Sequence, residues 1–265
     1  MYSAFTLAKK YLEYYTKASN GKGHGVHSPF VFQFITRVLN NKKKPEVFNR
    51  IEQQRRNLKQ DINYINIQDF GAGSVILKSN KRRVRTIART SLKPAKYAQL
   101  MHRMINYYMA TRIVELGTSL GITTSYLASS NSLTKVTTFE GSDEVAAIAE
   151  KNFRELDLPN IKTIRGNFDE TLEPFLSKVS QVDFAFVDGN HRKEPTIRYF
   201  EMLLAKSTDH SVFIFDDIHW SKEMEEAWQY IQHHPSVTLT IDLFYIGIVF
   251  FRKEQKVAQH FRIRY

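Results

Sequence analysis

The 265-residue sequence predicts an α/β fold with a mostly parallel sheet, on three observations. From residue 111 onward, short β-rich runs recur with helical segments between most of them, the alternation of a parallel sheet covered by helices. The first run, RIVEL (112–116), leads into two glycines four residues apart in GTSLG and then into a helical pattern. The last two runs, VTLTIDL (237–243) and IGIVFFR (246–252), are separated by FY alone, too little for a helix, and so predict an antiparallel hairpin at the end of the sheet.

Composition bounds the rest. Apolar residues make up 42% and charged residues 25%, ordinary values for a globular protein. No apolar run approaches the roughly 20 residues that span a bilayer. The start, MYSAFTLAKKYLEYYTKASN, carries lysines in an amphipathic pattern and no uninterrupted signal-type core, so the chain is read as cytoplasmic and without a membrane span. With no cysteine, disulfides, thiolate metal sites and cysteine nucleophiles are excluded; any metal must take oxygen or histidine ligands. The net charge of +11 is uneven. Residues 1–110 hold 21 Lys and Arg against 5 acids, net +16, and residues 111–265 hold 17 against 22, net −5. A basic face either recruits a polyanion or is simply solvated, and both readings stand.

The N-terminal third reads as helical. Phe5, Leu7, Ala8, Tyr11, Leu12 and Tyr15 recur at helical spacing within 4–17, and HSPFVFQFITRVLNN (27–41) is a second helix with Pro29 near its first turn. NNKKKPEVF breaks the pattern. Further helices are expected over 46–59 and over KPAKYAQLMHRMINYYMA (93–110), where Pro94 sits at a helix start. Between them, DFGAGS (69–74) imitates a nucleotide loop without a surrounding strand–loop–helix unit; it reads either as a loop over the main site or as a plain connection. The expected division is a helical, basic region 1–110 and a sheet domain 111–265.

The remaining strand candidates are KVTTFEG (135–141), IKTIRGN (161–167), VDFAFVD (182–188) and SVFIFDD (211–217). Parallel strands bring their carboxyl ends to one edge, where such folds bind ligands. Glu140 ends the second strand, Asn167 and Phe168 follow the third, and FVDGNH and FDDIHW end the fourth and fifth with Asp188, His191, Asp216, Asp217 and His219. Each acid taken singly also reads as a helix cap or loop residue, and Ser142 or Asp143 as a cap of the helix after Glu140. His191 reads either as a proton acceptor or as a loop histidine in a structural hydrogen bond. Phe168 reads equally as core.

In VELGTSLGITT, Glu115 stands two residues before Gly117, and Gly121 follows four later. On this motif and the strand-end acids, residues 112–252 resemble the class I S-adenosylmethionine-dependent methyltransferases, a Rossmann-like fold of seven strands whose last strand is antiparallel. The resemblance implies that S-adenosylmethionine is the cofactor, that Glu115 accepts a hydrogen bond from its amino group, and that Gly117 and Gly121 let the backbone turn tightly and approach it. It places Glu140 on the ribose hydroxyls, Asn167 and Phe168 at the adenine, and Asp188 beside the cofactor as well. VDGNH with FDDIHW is similar to the macrocin-type sugar methyltransferases and, more distantly, to catechol O-methyltransferase. Those relatives imply Asp188, Asp216 and Asp217 as ligands of a magnesium ion and His191, with Asp188, as the catalytic pair. Catechol O-methyltransferase has an aspartate–asparagine pair where this chain has Asp216 and Asp217, so metal dependence stays open.

Methyl transfer from a sulfonium needs alignment, one base and exclusion of water. The expected function is therefore O-methylation of a small hydroxylated molecule, with His219 and Trp220 as substrate wall and the N-terminal region as lid. HSPF reads either as reaching that pocket or as a capped helix start. The alternative is an RNA methyltransferase using the basic N-terminal region, although no recognisable RNA-binding module is present. A noncatalytic nucleotide-like binder or a dinucleotide oxidoreductase is the third reading. GTSLG lacks the closely spaced second glycine of the dinucleotide fingerprint, which argues against the oxidoreductase.

Overall fold

The computed structural model describes residues 1–23, 26–67 and 81–265. DFGAGS lies outside the described residues. Contacts group the chain into two compact units, residues 1–41 with 180–265 and residues 42–179. The boundary expected near residue 110 follows composition and charge and does not coincide with that grouping.

In chain order, helix α1 (Ala4–Lys17) is capped by Ser3, whose Oγ accepts from Thr6 N. Ser28 likewise caps α2 (Pro29–Gln33), with Pro29 at the first helical position, so HSPF takes its capped-start reading. The second expected helix then widens into a π-helical turn at 34–39 that sends Phe34, Ile35, Val38 and Leu39 into the core. Residues 42–179 contain α3 (Val47–Leu58), a short antiparallel ribbon of β1 (Tyr64–Asn66) and β2 (Lys81–Arg83), α4 (Val84–Thr90) and α5 (Ala95–Tyr108). There follow β3 (Arg112–Leu116), α6 (Ile122–Ala128), β4 (Lys135–Glu140), α7 (Asp143–Glu155), β5 (Ile161–Arg165) and α8 (Phe168–Leu176). Strands β3, β4 and β5 are parallel and adjacent in that order. Phe48 and Ile51 of α3 share one core with Leu120, Ile122 and Tyr126 at the start of α6.

The other unit adds β6 (Phe184–Val187), α9 (Lys193–Leu204), β7 (Val212–Asp216), α10 (Lys222–His233), β8 (Leu239–Asp242), β9 (Ile246–Phe250) and β10 (Gln259–Arg262). β6 pairs in parallel with β7, β9 inserts antiparallel between β7 and β8, and β10 pairs in parallel with β8. Every residue of FAFV, VFIFD and IGIVF is buried, the continuous apolar reading of strands covered on both faces. α1 is tied to this sheet by side chains. The Tyr14 hydroxyl donates to the Ile263 carbonyl, its ring lies 5.3 Å from Phe244, and Lys10 pairs with Glu225 of α10 at 2.9 Å.

The α/β class, the seven expected strands and the antiparallel β8–β9 hairpin are present. Two features differ from expectation. An additional strand, β10, pairs beyond β8 and makes the hairpin internal, while β9, the last of the seven expected strands, runs antiparallel as expected. QHFR alternates half-buried and exposed positions and has only one apolar residue, Phe261, too weak a pattern to mark a strand in the sequence. Nor did three-residue β1 and β2, with four polar residues of six, carry a strand signal. Among the described residues no helix is long and apolar enough to cross a membrane.

Gly247 lies on β9 opposite both Phe215 and Asp242. A β-carbon there would meet the Trp228 indole of α10 at 2.5–2.8 Å. Gly247→Ala is expected to cost about 1–3 kcal/mol by overpacking, lowering the melting temperature by several degrees. An unchanged melt would contradict this packing.

Candidate active site

In residues 42–179 the site is built around the end of β3. The parallel register sets Glu115 beside Thr138 of β4. Fully buried, the Glu115 carboxylate accepts at Oε2 from the hydroxyls of Thr138 (2.6 Å) and Thr124 of α6 (2.5 Å), while Oε1 is buried with no hydrogen-bond partner among the described residues. Burial pushes this carboxyl up to about 7; the two threonine hydroxyls oppose the shift, and the charge of Glu140 adds to it. A buried acceptor atom left unsatisfied is costly and marks a place for a donor or a cation. An unsatisfied acceptor of this kind fits the amino group of S-adenosylmethionine, which is a donor. Thr118, Thr124 and Thr138 were missed by sequence reasoning. Their surroundings GTSLG, ITTSYLA and KVTTFE are mixed in polarity, so no local pattern singled them out.

After β3 the backbone turns sharply. Gly117, Ser119 and Gly121 all have positive φ, and the amides of Gly117 and Thr118 both donate to the Phe139 carbonyl at 3.0 and 3.1 Å. At Gly121, φ is +79° and a β-carbon would lie 2.5 Å from the Phe153 ring and 3.0 Å from Ala149 of α7. Here the glycine answers a packing demand, the close approach of the turn to a helix. Glu140 accepts from Ser119 N at 2.8 Å through Oε2 and from Ser142 N at 3.0 Å through Oε1. It thus fastens the glycine turn to the start of α7. Ser142 occupies the cap position of α7 without a side-chain capping bond. Asn167 caps α8, its Oδ1 accepting from Asp169 N at 3.2 Å. The half-buried Phe168 ring lies edge-on to Phe139 at 6.5 Å.

In the other unit, the ends of β6 and β7 bring Asp188, His191 and Asp216 together, each offering one ligand atom within 4.8 Å of the others. His191 Nε2 lies 3.5 Å from Asp188 Oδ1; Asp216 is buried, and the other two are half-buried. The loops are backbone-strained. Asn190, His191 and Asp217 all adopt positive φ, which non-glycine residues enter at a cost that recurs at functional sites. Asn190 Nδ2 donates to the Tyr199 hydroxyl at 3.2 Å, fastening the first loop to α9. Asp217 is not part of the three-residue group; its amide donates to the Tyr245 carbonyl at 2.7 Å.

His219 lies outside the group as well. Its Nε2 is 2.9 Å from Asp242 and its Nδ1 is 3.1 Å from Glu225, with the ring stacked on Phe244 at 5.2 Å. Burial disfavours protonation here, yet Asp242 and Glu225 outweigh it and raise the imidazole above its ordinary range. Glu225 also accepts from Tyr2 and Lys10, and the Trp220 carbonyl accepts from Tyr2 N. The structure thus gives His219 and Trp220 the work of holding the N-terminal segment.

Glu115 yields a pH signature. Its folded-state value lies above the ordinary 4.5, so the folded protein keeps a proton that the unfolded chain releases. Its contribution to stability is full below about pH 4.5 and is lost as pH rises towards 7, a change on the order of 3 kcal/mol. Urea unfolding of Glu115→Gln is expected to show a flatter stability profile across that window than the parent protein. Equal slopes would contradict the buried, raised carboxyl.

Residues 114–218 match the family model described as a methyltransferase domain. No curated protein matches the chain. Among solved structures, the O-methyltransferase from Bacillus cereus in complex with SAH is similar with a TM-score of 0.56 and 20% identity, over 83% of this chain and 97% of that one. TomG, the O-methyltransferase from Streptomyces achromogenes involved in tomaymycin synthesis and solved with SAM, gives 0.56 and 17% over 84% and 95%. SAH-bound methyltransferase PaMTH1 from Podospora anserina gives 0.58 and 11% over 96% and 98%. The fold is that of the class I S-adenosylmethionine-dependent methyltransferases, and residues 114–218 are the part of the chain similar to a methyltransferase domain.

Proposed function

We propose that the chain is an O-methyltransferase that uses S-adenosylmethionine to methylate a small hydroxylated molecule. The observation that carries this reading is the gathering of Asp188, His191 and Asp216 at two adjacent strand ends of a methyltransferase fold. When bound, the cofactor supplies an activated methyl group on a cationic sulfonium. Glu115 Oε1 receives its amino group, Gly117 and Gly121 shape the turn beside it, and Glu140 holds that turn and meets the ribose hydroxyls. Asn167 and Phe168 border the adenine.

His191 takes the proton from the acceptor hydroxyl. With Nε2 towards Asp188, the accepting nitrogen is Nδ1, and the carboxylate stabilises the imidazolium that forms. Residues 1–110 serve as the substrate and lid region, and residues 111–265 as the cofactor domain. Supporting this within one unit, Tyr11 of α1 packs edge-on against Phe244 at 5.0 Å, next to the Tyr245 carbonyl that accepts from Asp217.

A second reading, divalent-metal assistance, is favoured by the spacing of the same group. Two carboxylates and an imidazole within 4.8 Å of one another are a donor set that fits a divalent cation such as magnesium. Such an ion gathers the acceptor's oxygens and lowers their pKa. Of the set expected from the sequence, Asp188 and Asp216 would hold it together with His191, and Asp217 would stand outside.

Transfer of labelled methyl from S-adenosylmethionine to a panel of catechols and hydroxylated sugars tests the assignment. His191→Asn is expected to lower kcat by about 10²–10⁴-fold with cofactor affinity retained, and Asp188→Asn to lower kcat over the same range; full turnover in either would remove it from the reaction. Under the base reading, chelation leaves the rate unchanged. Loss on chelation with recovery on adding magnesium would instead establish the metal reading.

A further inference from the structure

Residues 42–103 contain 16 lysines and arginines against 4 acids, a net of +12 that exceeds the charge of the whole chain. Methyl transfer to a small molecule does not use this charge. The β1–β2 ribbon organises part of it. In the antiparallel register, Tyr64 faces Arg83 and Asn66 faces Lys81 on one side of the ribbon, while Ile65 on the other side is buried. The Tyr64 ring is half exposed, with the Arg83 guanidinium 4.9 Å and the Lys81 ammonium 5.5 Å from its centroid.

The cations continue onto the neighbouring elements. Arg85 N donates to the Asp61 carbonyl, and Arg89 Nη2 donates to the carbonyl of Lys59 at the end of α3, one turn beyond Arg56. The acids close by are engaged elsewhere. Asp61 Oδ1 accepts from Asn63 N, and Glu144 is held by the amide and side chain of Asn66 at 2.7 and 2.8 Å while also feeling the charge of Lys81. Among the described residues no carboxylate pairs with the side chains of Arg56, Lys59, Arg85 or Arg89.

We propose that this face binds single-stranded nucleic acid, the cations taking successive phosphates and Tyr64 stacking a base. An exposed aromatic ring bordered by guanidinium and ammonium groups is the combination that serves single strands, because stacking is indifferent to sequence and the phosphates supply the affinity. An anionic bilayer would use the cations and leave the ring without a specific role. The proposal is independent of the acceptor in the methyl-transfer reading.

Fluorescence anisotropy with a labelled 20-nucleotide oligouridylate and the full chain tests it across about 50–300 mM salt. Binding is expected to weaken along a log–log salt line with a slope of about −0.7 per phosphate contacted. The pair Arg85→Gln with Arg89→Gln should make that slope shallower by about 1.4. Tyr64→Ala should weaken binding by roughly tenfold with the slope unchanged, and Lys222→Gln with Lys253→Gln, on the other unit, should change nothing. Circular dichroism melts identical to the parent's confirm that each variant is folded. No binding at the lowest salt, an unchanged slope in the arginine pair, or full affinity in Tyr64→Ala would overturn the proposal. Displacement of the RNA by phosphatidylserine vesicles, with Tyr64→Ala inert, would assign the face to a membrane instead.

Discussion

A carboxylate buried at the end of β3 is the constraint around which the first half of the parallel sheet is arranged. An isolated charge is costly to bury, and Glu115 is accommodated by two threonine hydroxyls from β4 and α6 and by a pKa raised to about 7. Only one of its oxygens is satisfied in this way. The other defines a polar point inside an apolar sheet, and the strand pairing that sets Glu115 beside Thr138 is also what shapes the proposed cofactor site. Glu140, one strand over, extends the arrangement by holding the glycine turn through Ser119 N.

The acid group of the other unit follows a different logic. β6 and β7 are wholly apolar until their last residues, so their ends are where polar side chains first become affordable. Strained φ values at Asn190, His191 and Asp217 fix how the chain leaves each strand. Within that unit, α1, α10 and the 243–245 turn are joined by the chain of contacts from Lys10 through Glu225 and His219 to Asp242.

Much of this was legible in the sequence, for identifiable reasons. All seven expected strands exist; β6, β7 and β9 were legible as continuous buried apolar runs, and β4 and β5 through β-branched residues between turn signals. Glu115, Gly117 and Gly121 were legible as a motif. What Gly121 does was not, because its need arises from Phe153 and Ala149, some 30 residues away in the chain. The same holds for His219, read as substrate wall; its partners Asp242 and Glu225 are set by tertiary packing that no local pattern records. β10 and the β1–β2 ribbon escaped detection because polar, edge-like strands of three or four residues carry almost no periodic signal.

Whether the β3 glycine turn with Glu115 receives S-adenosylmethionine is decided by calorimetric titration of the folded chain with S-adenosylmethionine and, in parallel, with NAD, near pH 8 and near pH 6. Saturable binding of S-adenosylmethionine alone is expected, weaker at the lower pH, where Glu115 carries a proton and cannot receive the amino group as a carboxylate. Absence of S-adenosylmethionine binding at either pH, or binding of NAD in its place, would contradict that role.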